Sequence, residues 1–398
     1  MSLIPTPAEA TGPLLRQAPA RRWAAARLAL GTASALGISR FAYGLLLPAM
    51  RTDLHWSLAQ AGALTTANSL GYLLGALLAG VLGRRWGPTA TFHLGMMLTA
   101  LALAATAVSG AYLALLTART AAGVAGALVF VAGGVIASRN AAAARSPAPI
   151  TIYFSGAGLG IAVCGASLPP LMTRAPHDWP SAWIGLAAFA FLATAASWTA
   201  ARVDEPELRS ATGRPRMGRL WRTALAYLLF AGGYIAYVTF LSATLAQDHA
   251  PVWLISTLWT LLGIGAMAAP RLWNPLIGAW PPARVLTTLL ALLGGASALA
   301  LVSTSYAVLA ISVLAYGGTF MTVPAAVTAT IRGATRPEDW APTLSAFTTV
   351  FAAGQAVGPW AAGAIADHTS AGATLVWTAA LCASAAVVAA TGRPKPPR

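Results

Sequence analysis

Apolar runs of about 20 residues follow one another along the whole chain, each bounded by charge, proline or glycine. They cover 25–49, 58–82, 90–109, 112–137, 150–170, 181–201, 222–245, 253–275, 285–304, 307–331, 342–365 and 373–391. A helical run of that length matches the hydrocarbon thickness of a bilayer. Hydrocarbon offers no water to the backbone, so a spanning run must satisfy its own N–H and C=O groups, as a helix or in a closed barrel. Runs of 20 residues rather than 10 select the helix. The expected fold is therefore an all-α membrane protein of 12 transmembrane helices. Composition agrees: 9% of residues are charged, against about 25% in soluble chains.

Where the charges fall excludes the reading that a net charge of +15 first invites, nucleic-acid binding. When the connections are numbered alternately, 21 of the 25 Lys and Arg lie on one side, which holds the termini and the cluster Arg202, Arg209, Arg214, Arg216, Arg219 and Arg222. The other side holds Arg51 and Arg174. Basic residues concentrate on the cytoplasmic side of membrane proteins, so both termini are expected in the cytoplasm. The positive charge is an orientation device. An Arg to Lys ratio of 24 to 1 hints at a GC-rich genome and a bacterial inner membrane. Residues 1–22, rich in Pro and Ala, read as a disordered cytoplasmic tail without the marks of a cleavable signal. Six-helix bundles are expected over 23–201 and 222–391, joined by a cytoplasmic loop at 202–221, with a short cytoplasmic tail at 392–398. Cys164 and Cys382 lie in apolar runs and read as buried small hydrophobes.

Comparing the halves at an offset of 194 residues aligns Ala42-Tyr43 with Ala236-Tyr237, Gly71 with Gly265, Gly123 with Gly317, Gly160 with Gly354 and Trp183 with Trp377. The register holds from the first span to the sixth, which points to two parallel repeats.

Twelve spans in two parallel halves with a basic central loop resemble the major facilitator superfamily. The turn Gly80-Val81-Leu82-Gly83-Arg84-Arg85-Trp86-Gly87 resembles that superfamily's loop motif between spans two and three, a gating element. Arg84 stands where the common pattern has an Asp. Arg119-Thr120-Ala121-Ala122-Gly123-Val124-Ala125-Gly126 resembles the Arg-containing fourth-span motif, often tied to proton or substrate coupling. The first-span pattern Arg40-Phe41-Ala42-Tyr43 with the following Leu-Leu-Pro-Ala-Met is similar to the YbfB/YjiJ branch. So are Ala67-Asn68 with Gly71-Tyr72-Leu73-Leu74-Gly75, Gly317-Gly318-Thr319-Phe320, and Gly354-Gln355 with Gly358-Pro359.

The residues that bear chemistry sit inside the spans. Arg40 lies about 12 residues past Leu28, where the strongly apolar part of the first run begins, or about 18 Å deep. A guanidinium there costs at least about 2.5–3.5 kcal/mol on insertion scales, so it must face a helix interface or a wet cavity. Helical spacing sets Gly37, Tyr43 and Gly44 beside it. Arg119, Asn68, Tyr234, Tyr237 and Gln355 complete the candidate substrate site, each with a competing reading as a packing residue. Gly156, Gly158, Gly160 and Gly165 read as close helix packing in the fifth span. All ten carboxylates fall in tails, loops or span ends, so no acid reaches mid-membrane to neutralise Arg40 or Arg119. An unpaired buried charge is costly, which makes the substrate or an ion the natural counter-charge. A planar guanidinium fork suits a carboxylate or phosphate.

The expected function is secondary active transport of a small organic anion by rocker-switch alternating access. Carrying one negative charge inward costs about 2.3 kcal/mol per 100 mV of inside-negative potential. No mid-membrane acid is present to relay a proton, so export (efflux), exchange, or entry of the substrate with its own proton is easier to reconcile with the sequence, with export or exchange favoured. The alternatives are a non-transporting sensor on the same scaffold, or a membrane-embedded transferase for which His177 and Asp178 are the one candidate pair. No cofactor, metal or catalytic constellation is expected. The partners are the solute and the bilayer, and a monomer suffices.

Overall fold

The computed structural model describes residues 23–174, 177–201, 214–303 and 305–391. The N-terminal tail, residues 202–213 of the central loop and the last seven residues lie outside the described residues. Ten helices are long and apolar enough to cross a membrane. One of them, Leu58–Val108, is two rods end to end. Gly87 leaves helical geometry at φ 82°, ψ 163°, a region that glycine enters without the penalty a Cβ brings. Pro88 follows, with a φ preset for a first helical turn. Pro337–Asp367 is a further rod of 31 residues, less apolar because Thr348, Thr349, Gln355, Pro359 and several glycines dilute its apolar run.

The twelve rods are α1 (Trp23–Leu54), α2 (58–86), α3 (88–108), α4 (Tyr112–Ala144), α5 (Ala148–Arg174), α6 (Trp179–Ser197), α7 (Trp221–Gln247), α8 (Val252–Ala279), α9 (Pro282–Val302), α10 (Tyr306–Ala334), α11 (Pro337–Asp367) and α12 (Ala373–Thr391). Each answers to one apolar run of the sequence. Two differ locally from expectation. Helix α8 continues through Pro270 and Pro275 to Ala279, past the end of the apolar run at 275. A proline removes one ladder bond and bends a helix, and in hydrocarbon neighbouring helices hold the chain in helical form. Helix α10 breaks at Met321 and Thr322 and restarts at Val323, with Pro324 in the restarting turn.

The sequence repeat is a repeat of helix crossings. Gly71 packs against the backbone of Thr120, and Gly123 against that of Asn68, which seals α2 to α4. In the second half Gly265 packs against Leu314 and Gly317 against Leu262, which seals α8 to α10. These partners are again 194 residues apart. A Cβ at Gly123 would stand 2.8 Å from the Tyr72 nitrogen and 2.9 Å from the Asn68 carbonyl carbon, both backbone. Gly123→Ala is therefore expected to destabilise the protein by about 1–3 kcal/mol in a detergent melt. Gly83→Ala, with nothing within 4 Å of its would-be Cβ, is the control. Equal melting of the two variants would refute the seam.

Helix α5 is thin on two sides. Gly156 and Gly160 meet Ala29, Ala33 and Gly37 of α1, while Gly158 and Gly165 meet Gly263, Met267, Trp259 and Thr260 of α8. The halves touch along α1–α7, α2–α11 and α5–α8. At the end away from the termini, Asp367 at the close of α11 accepts hydrogen bonds from the Leu58 and Ala59 amides that begin α2, at 2.7 and 2.9 Å. Thr66 donates to the Ala356 carbonyl at 2.6 Å, about two turns deeper along α2 in the same crossing. At the termini end, by contrast, Arg27 bonds Ala196 and Thr199 inside the first half, and Arg222 bonds Thr391 inside the second. There Asp339 anchors the end of the central connection, accepting from the Arg214 amide at 2.9 Å and from Arg216 Nε at 2.7 Å. The amide, then the guanidinium, hold its carboxyl below the usual carboxylate range.

Candidate functional site

Residues Ala33–Ile38 of α1 form a π-helical segment, a wide turn often found beside functional residues. It lies where Gly37 meets Ala157 and Gly160 of α5, and Arg40 follows it by two residues. The Arg40 Nε and Nη2 atoms are buried and have no hydrogen-bond partner. Its guanidinium carbon stands 5.6 Å from the Tyr72 ring centroid, a cation–π distance. From the second half the Tyr234 hydroxyl lies beside it. That hydroxyl also accepts from Gln355 Nε2. Gln355 is fully buried, and its Oε1 is left without a partner. Three of the expected site residues, Arg40, Tyr234 and Gln355, thus meet at the interface between the halves.

Aromatic rings surround this meeting point. In the second half Tyr227, Phe230, Tyr234 and Phe351 lie nearly parallel, with centroids 4.7 Å apart for Tyr227–Phe351 and for Phe230–Tyr234. Phe320 continues the layer 6.0 Å from Tyr234 and meets Phe41 of α1 edge-on at 5.8 Å. In the first half Tyr72, Phe130 and Phe154 form a chain at 6.4 and 5.1 Å. Tyr72, Phe130, Phe154 and Phe351 are only partly buried.

Arg119 occupies a separate place. It is 1% exposed, with its guanidinium carbon 5.3 Å from the Tyr43 ring and 5.4 Å from the Trp183 ring. Its Nε and Nη1 have no partner, nor has the Trp183 indole nitrogen. No carboxylate among the described residues pairs with either arginine; Asp339 pairs with Arg216 and Asp53 with His177. The two guanidiniums lie within electrostatic reach of one another.

The other expected site residues are engaged with protein. Tyr43 donates to the Ala61 carbonyl at 2.8 Å, and so offers no free hydroxyl beside Arg40. The neighbouring glycines leave no room there either, because Gly37 meets α5 and Gly44 meets Val238 and Trp259. Asn68 donates to the Arg119 carbonyl at 3.1 Å. Tyr237 stacks on Tyr316 at 3.9 Å, with its hydroxyl 3.3 Å from Ser312 Oγ. Of the loop motif, Arg84 and Arg85 are exposed, Gly87 makes the break between α2 and α3, and Gly80 lies one turn before Arg84. Cys164 and Cys382 are buried and free. The pair that a transferase would need is drawn apart, since His177 bonds Asp53 at 3.2 Å and Asp178 caps α6. Sequence reasoning passed over Trp183 and Phe351 as site residues. The repeat match of Trp183 with Trp377 is the available signal for the first, and for Phe351 it is the spacing of four residues that sets it on the face of Gln355. A cavity of about 780 Å³ opens away from the termini, lined by Leu241, Thr244, Asp248, His249 and Tyr306 among others, and includes neither arginine.

Twelve helices among the described residues, in two repeated halves with polar and aromatic side chains where the halves meet, have the architecture of a secondary transporter of the major facilitator type. The chain belongs to the family described as "Uncharacterised MFS-type transporter YbfB", which matches residues 32–392. Among solved structures it is similar to the nucleoside transporter NupG, at 12% identity and a TM-score of 0.69, covering 92% of this chain and 98% of that one. It is also similar to a bacterial homologue of the human lysosomal transporter Spinster in an inward-facing, unoccupied conformation, at 14% identity and a TM-score of 0.65, covering 93% and 95%. At these identities the likeness is one of fold. No curated protein matches.

Proposed function

We propose that the protein moves a small organic anion across a bacterial inner membrane by rocker-switch alternating access, in export or exchange. The observation that carries this is Arg40: two buried guanidinium nitrogens at the junction of the halves, with no partner in the protein. An anion bound there supplies the missing charge and hydrogen bonds together. The basic bias supports cytoplasmic termini, which makes the end fastened by Asp367 the outer one. Arg119 contributes positive potential from behind the site, while Tyr234 and Gln355 contact the solute from the second half. Tyr43, Asn68 and Tyr237 set the positions of these groups.

The test is exchange across proteoliposomes with benzoate, lactate, succinate and choline as probes. Anions are expected to exchange and choline is not. Arg40→Gln is expected to slow anion exchange by tenfold or more, because each charge-assisted bond lost is worth about 1.5–3 kcal/mol. Equal fluxes for choline and the anions, untouched by Arg40→Gln, would overturn the reading.

A further inference from the structure

We propose that the central site takes a planar aromatic carboxylate that carries a ring hydroxyl. This deepens the anion reading and rests on it. The carboxylate is placed by Arg40. The ring is placed by the layer of Tyr227, Phe230, Tyr234, Phe351 and Phe320, whose neighbouring pairs depart from parallel by 11–23° within the stack. A parallel stack with one partly buried member, Phe351, presents an edge or a face on which another flat ring continues the series. The first half answers with a second set of rings, Tyr72, Phe130 and Phe154, also partly buried. An aliphatic acid gains the same dehydration from these surfaces but not the ring–ring term, which is worth roughly two- to tenfold in affinity.

The hydroxyl follows from Gln355. Its amide bonds the Tyr234 hydroxyl through one terminal atom and leaves the other buried and unpartnered. Turning the amide over exchanges which atom is bonded, and still leaves one without a partner. A ligand hydroxyl both donates and accepts, so it completes the amide in either orientation. Arg40 and Gln355 both lie beside the same Tyr234 hydroxyl. The carboxylate and the hydroxyl of one small ring therefore reach their partners together.

The experiment is calorimetric titration of the purified full chain in detergent with 3-hydroxybenzoate, benzoate, cyclohexanecarboxylate and phenol. Benzoate is expected to bind two- to tenfold more tightly than cyclohexanecarboxylate, and 3-hydroxybenzoate about two- to tenfold more tightly again. Phenol is expected not to bind. Gln355→Leu should bring the ratio of 3-hydroxybenzoate to benzoate toward one, and Phe351→Leu the ratio of benzoate to cyclohexanecarboxylate. If either variant does not fold, the ratios in the unaltered protein decide. Equal affinities for benzoate and cyclohexanecarboxylate, both lost in Arg40→Gln, would overturn the aromatic class and leave the anion reading standing. Phenol binding as tightly as benzoate, unaffected by Arg40→Gln, would overturn the anion reading as well. Absence of binding by both benzoates overturns the proposal.

Discussion

Asp367→Ala is expected to open the end of the protein that lies away from the termini. The carboxylate spans the halves, fastening the last turn of α11 to the first two amides of α2 at 2.7 and 2.9 Å. Those amides have no partner within their own helix, and the helix dipole adds to their pull on a negative charge. Removing a charge-assisted acceptor from two donors weakens the closed arrangement. The residue is exposed, so water replaces part of what is lost and the lower end of the usual range applies, roughly tenfold in the conformational equilibrium. Asp367→Asn retains one acceptor and should fall between. Spin labels at Thr52 and Thr369, exposed at that end on opposite halves, should show a longer distance appearing in the alanine variant. A single unchanged distance distribution in both variants would remove Asp367 from any gating role.

Arg119→Met is expected to make the protein more resistant to unfolding while it slows transport. Two cation–π contacts, with Tyr43 and Trp183, contribute about 0.5–2 kcal/mol each. Against them stands at least about 2.5–3.5 kcal/mol for a guanidinium at depth. Two donors without partners cost a further 1–3 kcal/mol each, roughly. The balance favours removal by a few kcal/mol, about the gain seen when buried ionic groups are replaced by apolar residues of like volume. A function that tolerates such a cost is expected to need the charge, so anion exchange should fall at least about tenfold. A lower melting temperature for Arg119→Met would show that the arginine is a structural tie.

The large-scale plan was legible because it depends on one-dimensional quantities. Run length, basic bias and the 194-residue register read directly into twelve helices in two halves, and Gly71, Gly123, Gly265 and Gly317 appear in the structure as matched crossings. Family resemblance through Arg40-Phe41-Ala42-Tyr43 pointed the same way. The site was legible only in part. Ideal helical spacing placed Tyr43 beside Arg40, whereas Tyr43 lies under Arg119 and bonds Ala61. The π segment at Ala33–Ile38 also shifts the register of α1 just before Arg40, and spacing in an ideal helix does not foresee it. Tyr234 and Tyr237, three residues apart, part company, one toward Arg40 and the other into the stack with Tyr316. The aromatic layer draws on α7, α10 and α11 at once: spacing along α7 sets Phe230 and Tyr234 on one face, but nothing local brings Phe320 and Phe351 to them.

The two unpartnered guanidiniums that lie within the membrane, Arg40 and Arg119, belong to the first half, on α1 and α4, and among the described residues the second half has only neutral side chains at mid-membrane depth. Any rocking of the halves that moves the first along the membrane normal moves fixed positive charge with it. The membrane voltage then does work on the empty protein, at about 2.3 kcal/mol per charge carried across the full 100 mV drop. A bound anion cancels part of that charge. On the proposed anion reading, the unloaded stroke is therefore expected to be the more sensitive to voltage.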